Sequence, residues 1–263
     1  MAIEVFNRYE KKYQVSEDVF AKLQDRLFDY MELDFYNREQ FTYPICNIYY
    51  DSADNYLIRT SLSKPTYKEK LRLRSYGTPT EGSTVYAEIK KKYLGLTNKR
   101  RSGLKLNEAY QFLSNGNLPI LRPYMNGQVL QEIQYILSQR KLLPAVYLSY
   151  ERRALFDSSS DLRISFDTNI VARRYDLRLE SGSYGRSLIR DGVWVLEIKT
   201  ALAYPLWLTR LLSEYGIYPK RFSKYGTECK TSPVPFPAGA AAAAAATLPV
   251  PARAITASAL IRA

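Results

Sequence analysis

The sequence predicts an α+β protein: an antiparallel sheet closed, or nearly closed, around a charged interior, with amphipathic helices packed outside. Three observations predict it. Several segments alternate charged and apolar residues at the two-residue period of a strand. Segments with an apolar stripe at helical spacing lie between them. The clearest alternating segment, Thr66–Gly77 (TYKEKLRLRSYG), puts Lys68, Lys70, Arg72 and Arg74 on one face and Tyr67, Glu69, Leu71 and Leu73 on the other. Alone, that strand suits a solvated outer face as well as the wall of a polyanion site. Repetition of the pattern on other strands favours the wall, with the apolar faces turned outward against the helices.

The first strand is expected over Val5–Gln14, with Arg8, Glu10 and Lys12 opposite Val5, Tyr9 and Tyr13. Ser16 is the expected N-cap of a helix with Glu17 and Asp18 in its first turn and Val19, Phe20, Leu23, Leu27 and Tyr30 on its buried side. Pro44 precedes a strand, Ile45–Asp51. A short helix over Asp54–Ser63, capped by Ser52 or Asp54, buries Tyr56, Leu57 and Leu62. After the basic strand, a Gly77–Gly82 turn leads into Val85–Tyr93, where Glu88, Lys90 and Lys92 face away from Val85, Ala87, Ile89 and Tyr93. Lys99–Arg101 is a basic cluster, and a helix is expected over Leu104–Leu113 with Asn107 or Ser102 as cap.

Gly127–Lys141 reads as a further helix, with Val129, Leu130, Ile133, Ile136 and Leu137 spaced for burial. Pro144 ends it, and Ala145–Asp157 follows as a strand with Tyr150 and Arg152 on one face. Asp161–Asp167 sets Arg163, Ser165 and Asp167 against Leu162, Ile164 and Phe166. Val193–Thr200 sets Val195, Glu197 and Lys199 against Trp194, Leu196 and Ile198. Tyr204–Tyr215 reads as helix and Pro219–Cys229 as a basic closing segment. The Pro- and Ala-rich character from residue 232 onward sets the expected domain at 1–231. Residues 232–263 are expected to be a linker, a vector-derived tail or a poorly ordered terminus.

Composition narrows the chemistry. A formal net charge of +12 over 263 residues favours an anionic partner: nucleic acid, phosphates or an anionic membrane. The absence of histidine removes the usual general base, the Ser-His-Asp and Cys-His arrangements, and most transition-metal sites. A metal would need carboxylate ligands and would be of the Mg²⁺ or Mn²⁺ kind. Cys46 and Cys229 lack motif spacing and read as reduced thiols. The N-terminus lacks a signal-peptide core, and no apolar run is long enough to span a bilayer, so a cytoplasmic location is expected.

A common interior lined by Arg8, Lys12, Lys70, Arg72, Arg74, Lys90, Arg152, Arg163 and Lys199 would repel itself when empty. Like charges about 4 Å apart cost on the order of 4 kcal/mol at an effective dielectric near 20. A triphosphate or polyphosphate relieves that cost, because each phosphoryl unit offers several oxygens to lysine and to the arginine fork. Nucleic acid fits less well, since helix-borne readers, aromatic stacking platforms and RNA-binding signatures are missing, although the abundant tyrosines leave single strands open. Glu10, Glu88 and Glu197 share faces with the cations and read either as charge compensation or as divalent-metal ligands. Glu197 is the foremost metal candidate, because a stray carboxylate on so apolar a strand would be costly.

Taken in order, RYEKKY (Arg8–Tyr13), IYYDS (Ile48–Ser52), KLRLRSYG (Lys70–Gly77), AEIKKK (Ala87–Lys92), YLSYERRAL (Tyr147–Leu155), LRISFD (Leu162–Asp167), LEIKT (Leu196–Thr200) and KRFSKYG (Lys220–Gly226) resemble a VTC domain. This is the polyphosphate-polymerase domain of the vacuolar transporter chaperone complex, also found alone in bacteria. It belongs to the triphosphate tunnel metalloenzymes, which are related to CYTH proteins. The resemblance covers about residues 4–229 and implies a closed tunnel of eight antiparallel strands. In that tunnel, polyphosphate would grow from the γ-phosphate of ATP with Mn²⁺ or Mg²⁺ as cofactor.

By position, the resemblance implies that Lys12, Arg72, Arg74, Lys90 and Glu197 carry the chemistry. Further phosphate contacts would come from Tyr150, Arg152, Arg163, Arg221, Ser223 and Lys224, with one basic residue among Lys99, Arg100 and Arg101, taken as Arg100, at the tunnel mouth; strand alternation adds Arg8, Lys70 and Lys199. Glu197 would hold the metal, with Glu10 and Glu88 as further candidates. The hydrolytic tunnel enzymes open with Glu-x-Glu-x-Lys, whereas this chain has Arg8-x-Glu10-x-Lys12. The exchange of a carboxylate for a cation favours a chain-building transferase over a tripolyphosphate or nucleoside-triphosphate hydrolase. A non-catalytic polyphosphate-binding module is the remaining alternative. The expected partners are ATP and inorganic polyphosphate, without nucleic acid; coupling to transport would require a separate membrane partner chain.

Overall fold

The computed structural model describes residues 9–94 and 96–232. Arg8, the start of the expected first strand and nearly all of the Pro/Ala-rich tail lie outside the described residues. The order of elements is β1 (Tyr9–Ser16), α1 (Glu17–Leu27), β2 (Glu32–Leu33), β3 (Tyr43–Asp51), α2 (Tyr56–Leu62), β4 (Tyr67–Tyr76), β5 (Thr84–Tyr93), β6 (Leu96–Lys105), α3 (Leu106–Asn115), α4 (Gly127–Gln139), β7 (Leu143–Phe156), β8 (Arg163–Arg173), β9 (Arg186–Ser187), β10 (Val193–Thr200), α5 (Leu206–Glu214) and α6 (Lys224–Thr231).

The strands form one antiparallel sheet in the order β1-β10-β8-β7-β3-β4-β5-β6, with β2 paired to β7 and β9 to β8 off that path. Among the described residues the expected closure does not occur: β1 and β6 end the path and do not pair with each other. The sheet instead curls until its two ends face one another, so that Glu10 on β1 takes Lys90 on β5 at 3.3 Å. The β1 edge has a different backbone partner, since the Lys220 N–H donates to the Lys12 carbonyl at 2.7 Å. A segment arriving from beyond α5 thus engages the strand edge that a barrel would have joined to β6.

The convex face carries the apolar side chains that meet the helices. Leu71, Leu73, Val85, Ala87 and Ile89 pack against Ala109 and Phe112 of α3 and Val129 and Ile133 of α4. Tyr13, Ile164, Phe166, Leu196 and Ile198 pack against Phe20 and Leu23 of α1 and Leu208 and Leu211 of α5. Phe20 stacks on Trp194 with ring centroids 3.9 Å apart. Each such fully buried apolar side chain contributes roughly 1.5–3 kcal/mol.

Capping follows local chemistry. Ser16 accepts from the Val19 N–H to start α1, as expected. At α2 the work falls to Asp51, whose carboxylate accepts from the backbone N–H groups of Ser52, Leu57 and Ile58, while Ser52 Oγ accepts from Tyr56. The expected helix at Leu104 begins later, at Leu106, because Leu96–Lys105 is a strand; Lys105 is the N-cap, and the Glu108 carboxylate accepts from its N–H. Both cysteines are buried free thiols. No helix among the described residues is long and apolar enough to cross a membrane.

Candidate functional site

The concave face collects the charged sides of the strands. The β4–β5 register pairs Lys68 with Lys92, Lys70 with Lys90, Arg72 with Glu88 and Arg74 with Tyr86, so these residues share one face. Neighbouring β3 adds Asn47 and Tyr49, paired with Arg74 and Arg72. Arg72 Nε donates to Glu88 Oε2 at 2.7 Å and its Nη1 to the Tyr49 hydroxyl at 3.1 Å. Arg74 donates from Nε to Asn47 Oδ1 at 2.9 Å and from Nη2 to the Tyr150 hydroxyl at 3.1 Å. Lys99 Nζ from β6 lies 2.7 Å from Glu88 Oε1. One carboxylate, 1% exposed, therefore sits among three cations.

A second group comes from β1, β7, β8, β10 and α6. Arg152 grips Asp167 with two parallel bonds of 2.7 and 2.8 Å, and Lys224 at the start of α6 reaches the same carboxylate. Lys12 lies 3.1 Å from Glu10 and 3.6 Å from Glu197, and Lys199 pairs with the other Glu197 oxygen. Lys70 approaches Ser223 Oγ at 3.5 Å, and that hydroxyl also caps α6 by accepting from Gly226. Gly226 suits its place, because a Cβ there would lie 3.1 Å from Ser223 Oγ and 3.2 Å from Leu62 of α2.

The lumen is not charged throughout. Val146, Leu148, Ile170 and Ala172 continue the concave face toward one end and pack against Ile58, Tyr225 and Cys229. Helix α6 is seated on this apolar floor, and Lys224, beside Tyr225, points toward Asp167. A β7–β8 register shift, with Asn169 at φ 49°, turns Ile170 and Ala172 to the same side as Asp167.

Electrostatics follows from these contacts. Burial pushes the Glu88 carboxyl up, but Arg74, Arg72 and Lys99 outweigh it and hold the group well below the usual carboxylate range. Burial likewise opposes ionisation of Asp167, yet Arg152 and Lys224 hold it at about 2. Burial and Glu197 raise Glu10, while Lys12, Lys90 and Lys199 bring it down to about 2. Glu197 is held low by Lys199, Lys12, Arg152 and Lys224 against its own burial. Burial pushes Lys99 down to about 7, with Glu88 opposing and Arg74 and Arg72 assisting. Burial, with Lys90, Lys12 and Lys68, lowers Lys70 to about 8 against Tyr49. Tyr49 is also lowered to about 8, where Arg72, Lys70 and Arg74 overcome burial.

Among the expected site residues, the fold brings Lys12, Lys70, Arg72, Arg74, Lys90, Tyr150, Arg152, Glu197, Lys199, Ser223 and Lys224 to this one face or its edge. Arg163 shares the face through its pairing with Lys199 but lies exposed at the rim, and Arg221 is exposed on the loop before α6. Arg100 is a correction. The Glu88–Arg101 and Lys90–Lys99 pairings turn it outward, where it bonds Glu132 of α4, and Lys99 enters the lumen in its stead. Sequence reasoning also passed over Asp167, Asn47 and Tyr49. Alternation already placed Asp167 on the face of Arg163, which was the available signal.

Among the described residues, no group of three or more His, Cys, Asp or Glu side chains is placed to hold a metal. Glu88 does not suit one, because the groups that act most on it are Arg74, Arg72 and Lys99, with no second carboxylate among them to complete a donor pair. Glu10 and Glu197 do suit one: both are ionised, both flank Lys12, and their strands are paired. Two hard oxygen donors match a Mg²⁺ or Mn²⁺ ion that takes its other ligands from phosphate and water.

A candidate adenylate cyclase from Bacillus halodurans superposes with a TM-score of 0.52 at 15% identity, covering 84% of this chain and 96% of that one, and so has the same fold. A candidate adenylyl cyclase from Hippeastrum, described as having a dominant triphosphatase activity, gives 0.48 at 14% identity over 88% and 99%. A candidate adenylate cyclase from Vibrio parahaemolyticus gives 0.43 at 13% over 85% and 98%. No curated protein matches the sequence. The sequence profile of the VTC domain matches residues 7–232, a span that takes in every described residue. The chain belongs to the VTC domain family.

Proposed function

We propose that this chain is a polyphosphate polymerase, transferring the γ-phosphate of ATP to the end of an inorganic polyphosphate chain held in the curled sheet. The convergence of lysines and arginines from β1, β4, β5, β6, β7, β10 and α6 on one concave face carries the reading. These cations outnumber the neighbouring carboxylates about two to one, so an oligophosphate offsets a repulsion the fold otherwise bears. Family membership and the shared fold support a phosphate-handling tunnel.

In the proposed reaction, a terminal oxyanion of the acceptor chain forms a bond to the γ-phosphorus. The bond from that phosphorus to the β,γ-bridging oxygen breaks, and its electron pair leaves with ADP. The acceptor is already anionic, so no histidine or other general base is required. Arg72 and Arg74 present forked donors to phosphate oxygens, while Arg152 and Lys224 neutralise charge across the groove. Tyr49, Asn47 and Tyr150 fix the two guanidinium groups, so their alignment exists before substrate arrives. Mn²⁺ or Mg²⁺ at Glu10 and Glu197 would neutralise further phosphate oxygens.

Incubation of the purified chain with ATP and Mn²⁺, followed by chain-length analysis on a gel, tests the proposal. Long phosphate chains support it. Orthophosphate alone would make the protein a tunnel hydrolase, and tight binding without turnover would make it a binding module.

A further inference from the structure

The lumen changes character along its axis. On the concave face of β4 the order is Lys68, Lys70, Arg72, Arg74 and then Tyr76. Beside Tyr76 the same face carries Tyr86 of β5 and Tyr43 of β3, with their rings 5.8 and 6.2 Å from it. Tyr36, from the turn before β3, stacks on Tyr76 at 4.8 Å with the planes 5° apart. Arg101 spreads its guanidinium over the Tyr86 ring at 4.7 Å and reaches the Tyr76 hydroxyl. Tyr36 and Arg101 are exposed and Tyr76 and Tyr86 half-buried, so these rings stand at an open mouth. The opposite end carries Lys68, Lys70, Lys90 and Lys92.

We propose that the mouth formed by Tyr76, Tyr86, Tyr36 and Arg101 is a nucleobase-stacking subsite, which orients a nucleoside triphosphate with its base at the tyrosines and its phosphates pointing inward. The proposal rests on the phosphate reading of the lumen and adds to it where the base sits and which way the substrate lies. A nucleoside triphosphate is planar and uncharged at one end and strongly anionic at the other, and this face has the same polarity. Two strand residues span about 7 Å, so Arg74 and then Arg72 follow the aromatic mouth at one and two such steps. A ribose bridges a gap of that order between base and phosphates. Tyrosine rings and an arginine plane supply stacking without base-edge readout. In-line displacement then puts the acceptor chain on the far side of the γ-phosphorus, toward the lysine end, while ADP leaves past the tyrosines.

Calorimetric titration with two ligands, inorganic tripolyphosphate and the non-hydrolysable β,γ-imido analogue of ATP, tests this on wild type, Tyr86→Ala and Tyr86→Trp. The Tyr86→Ala change should weaken the ATP analogue about tenfold, in line with the loss of one stacking partner, and leave tripolyphosphate unchanged. Tyr86→Trp should keep both affinities. Unchanged affinity of Tyr86→Ala for the ATP analogue overturns the subsite while leaving the phosphate lumen standing. Equal weakening of both ligands also overturns it, by assigning Tyr86 to the shape of the lumen. Failure of tripolyphosphate to bind the wild type removes the phosphate reading and this proposal together.

Discussion

Replacing Glu88 with glutamine separates a charge-compensating carboxylate from a metal ligand. In the free protein, Arg72, Arg74 and Lys99 all lean on Glu88, which is 1% exposed. Removing one partner of a buried ion pair costs about 3–5 kcal/mol. For a chain of this size, each kcal/mol moves Tm by roughly 2–4 °C, so the unliganded Glu88→Gln protein should melt about 10 °C lower. Tripolyphosphate should reverse most of that loss, because its oxyanions take over the three cations. Its affinity should also rise at least tenfold. A carboxylate about 8 Å from a phosphate charge repels it by on the order of 2 kcal/mol at an effective dielectric of 20, and the substitution removes that repulsion. Thermal melts without tripolyphosphate and with it at about 1,000 times its Kd, where binding adds about 4 kcal/mol, and calorimetric titration read both effects. An equal loss of Tm with and without ligand, together with unchanged or weaker affinity, would refute the reasoning.

Arg72→Ala should lower the initial rate of phosphate transfer about 100-fold with the circular dichroism spectrum preserved, since it deletes about two charge-assisted bonds. Arg100→Ala, which loses only the outward pair with Glu132, should stay within about threefold of wild type, as expected for a partly exposed ion pair. The Asp167 carboxyl drops from its ordinary 3.8 to about 2 on folding, so its stabilisation is fully present above pH 4 and is lost as pH falls toward 2. Urea unfolding between pH 2 and 6 should show that slope, worth about 2 kcal/mol, and Asp167→Asn should flatten it. Lys99 drops from 10.5 to about 7, so folded-state stability rises as pH climbs from 7 toward 10.5 and the ammonium sheds its proton. A bound oligophosphate favours the charged form, so tripolyphosphate binding at pH 8 should take up protons, read as a buffer-dependent binding enthalpy that Lys99→Met diminishes. A buffer-independent enthalpy would contradict this.

Alternation made the lumen legible from sequence wherever strands carry apolar residues between their charges, as in Lys70–Tyr76 and Val193–Thr200. It failed at Leu96–Lys105, where three consecutive cations hide the period: Lys99 and Arg101 face the lumen while Arg100 meets Glu132 outside. Helix α6 was illegible because KYGTECKT carries a glycine and few apolar residues. Its helix is sustained by the Ser223 cap and by packing of Tyr225 and Cys229 on distant strands. Sheet closure cannot be read from periodicity, since it depends on which backbone groups reach the last edge, and Lys220 reaches β1. The pairing of Asp167 with Lys224 depends on that same late segment.

The most direct test of the central claim is a structure determined with tripolyphosphate. The account predicts the anion inside the curl of the sheet, its oxygens taken by Arg72, Arg74 and Arg152, with Lys99 turned from Glu88 toward phosphate. Tripolyphosphate bound on the convex face or the rim, with the Glu88 and Asp167 ion pairs unchanged, would contradict it.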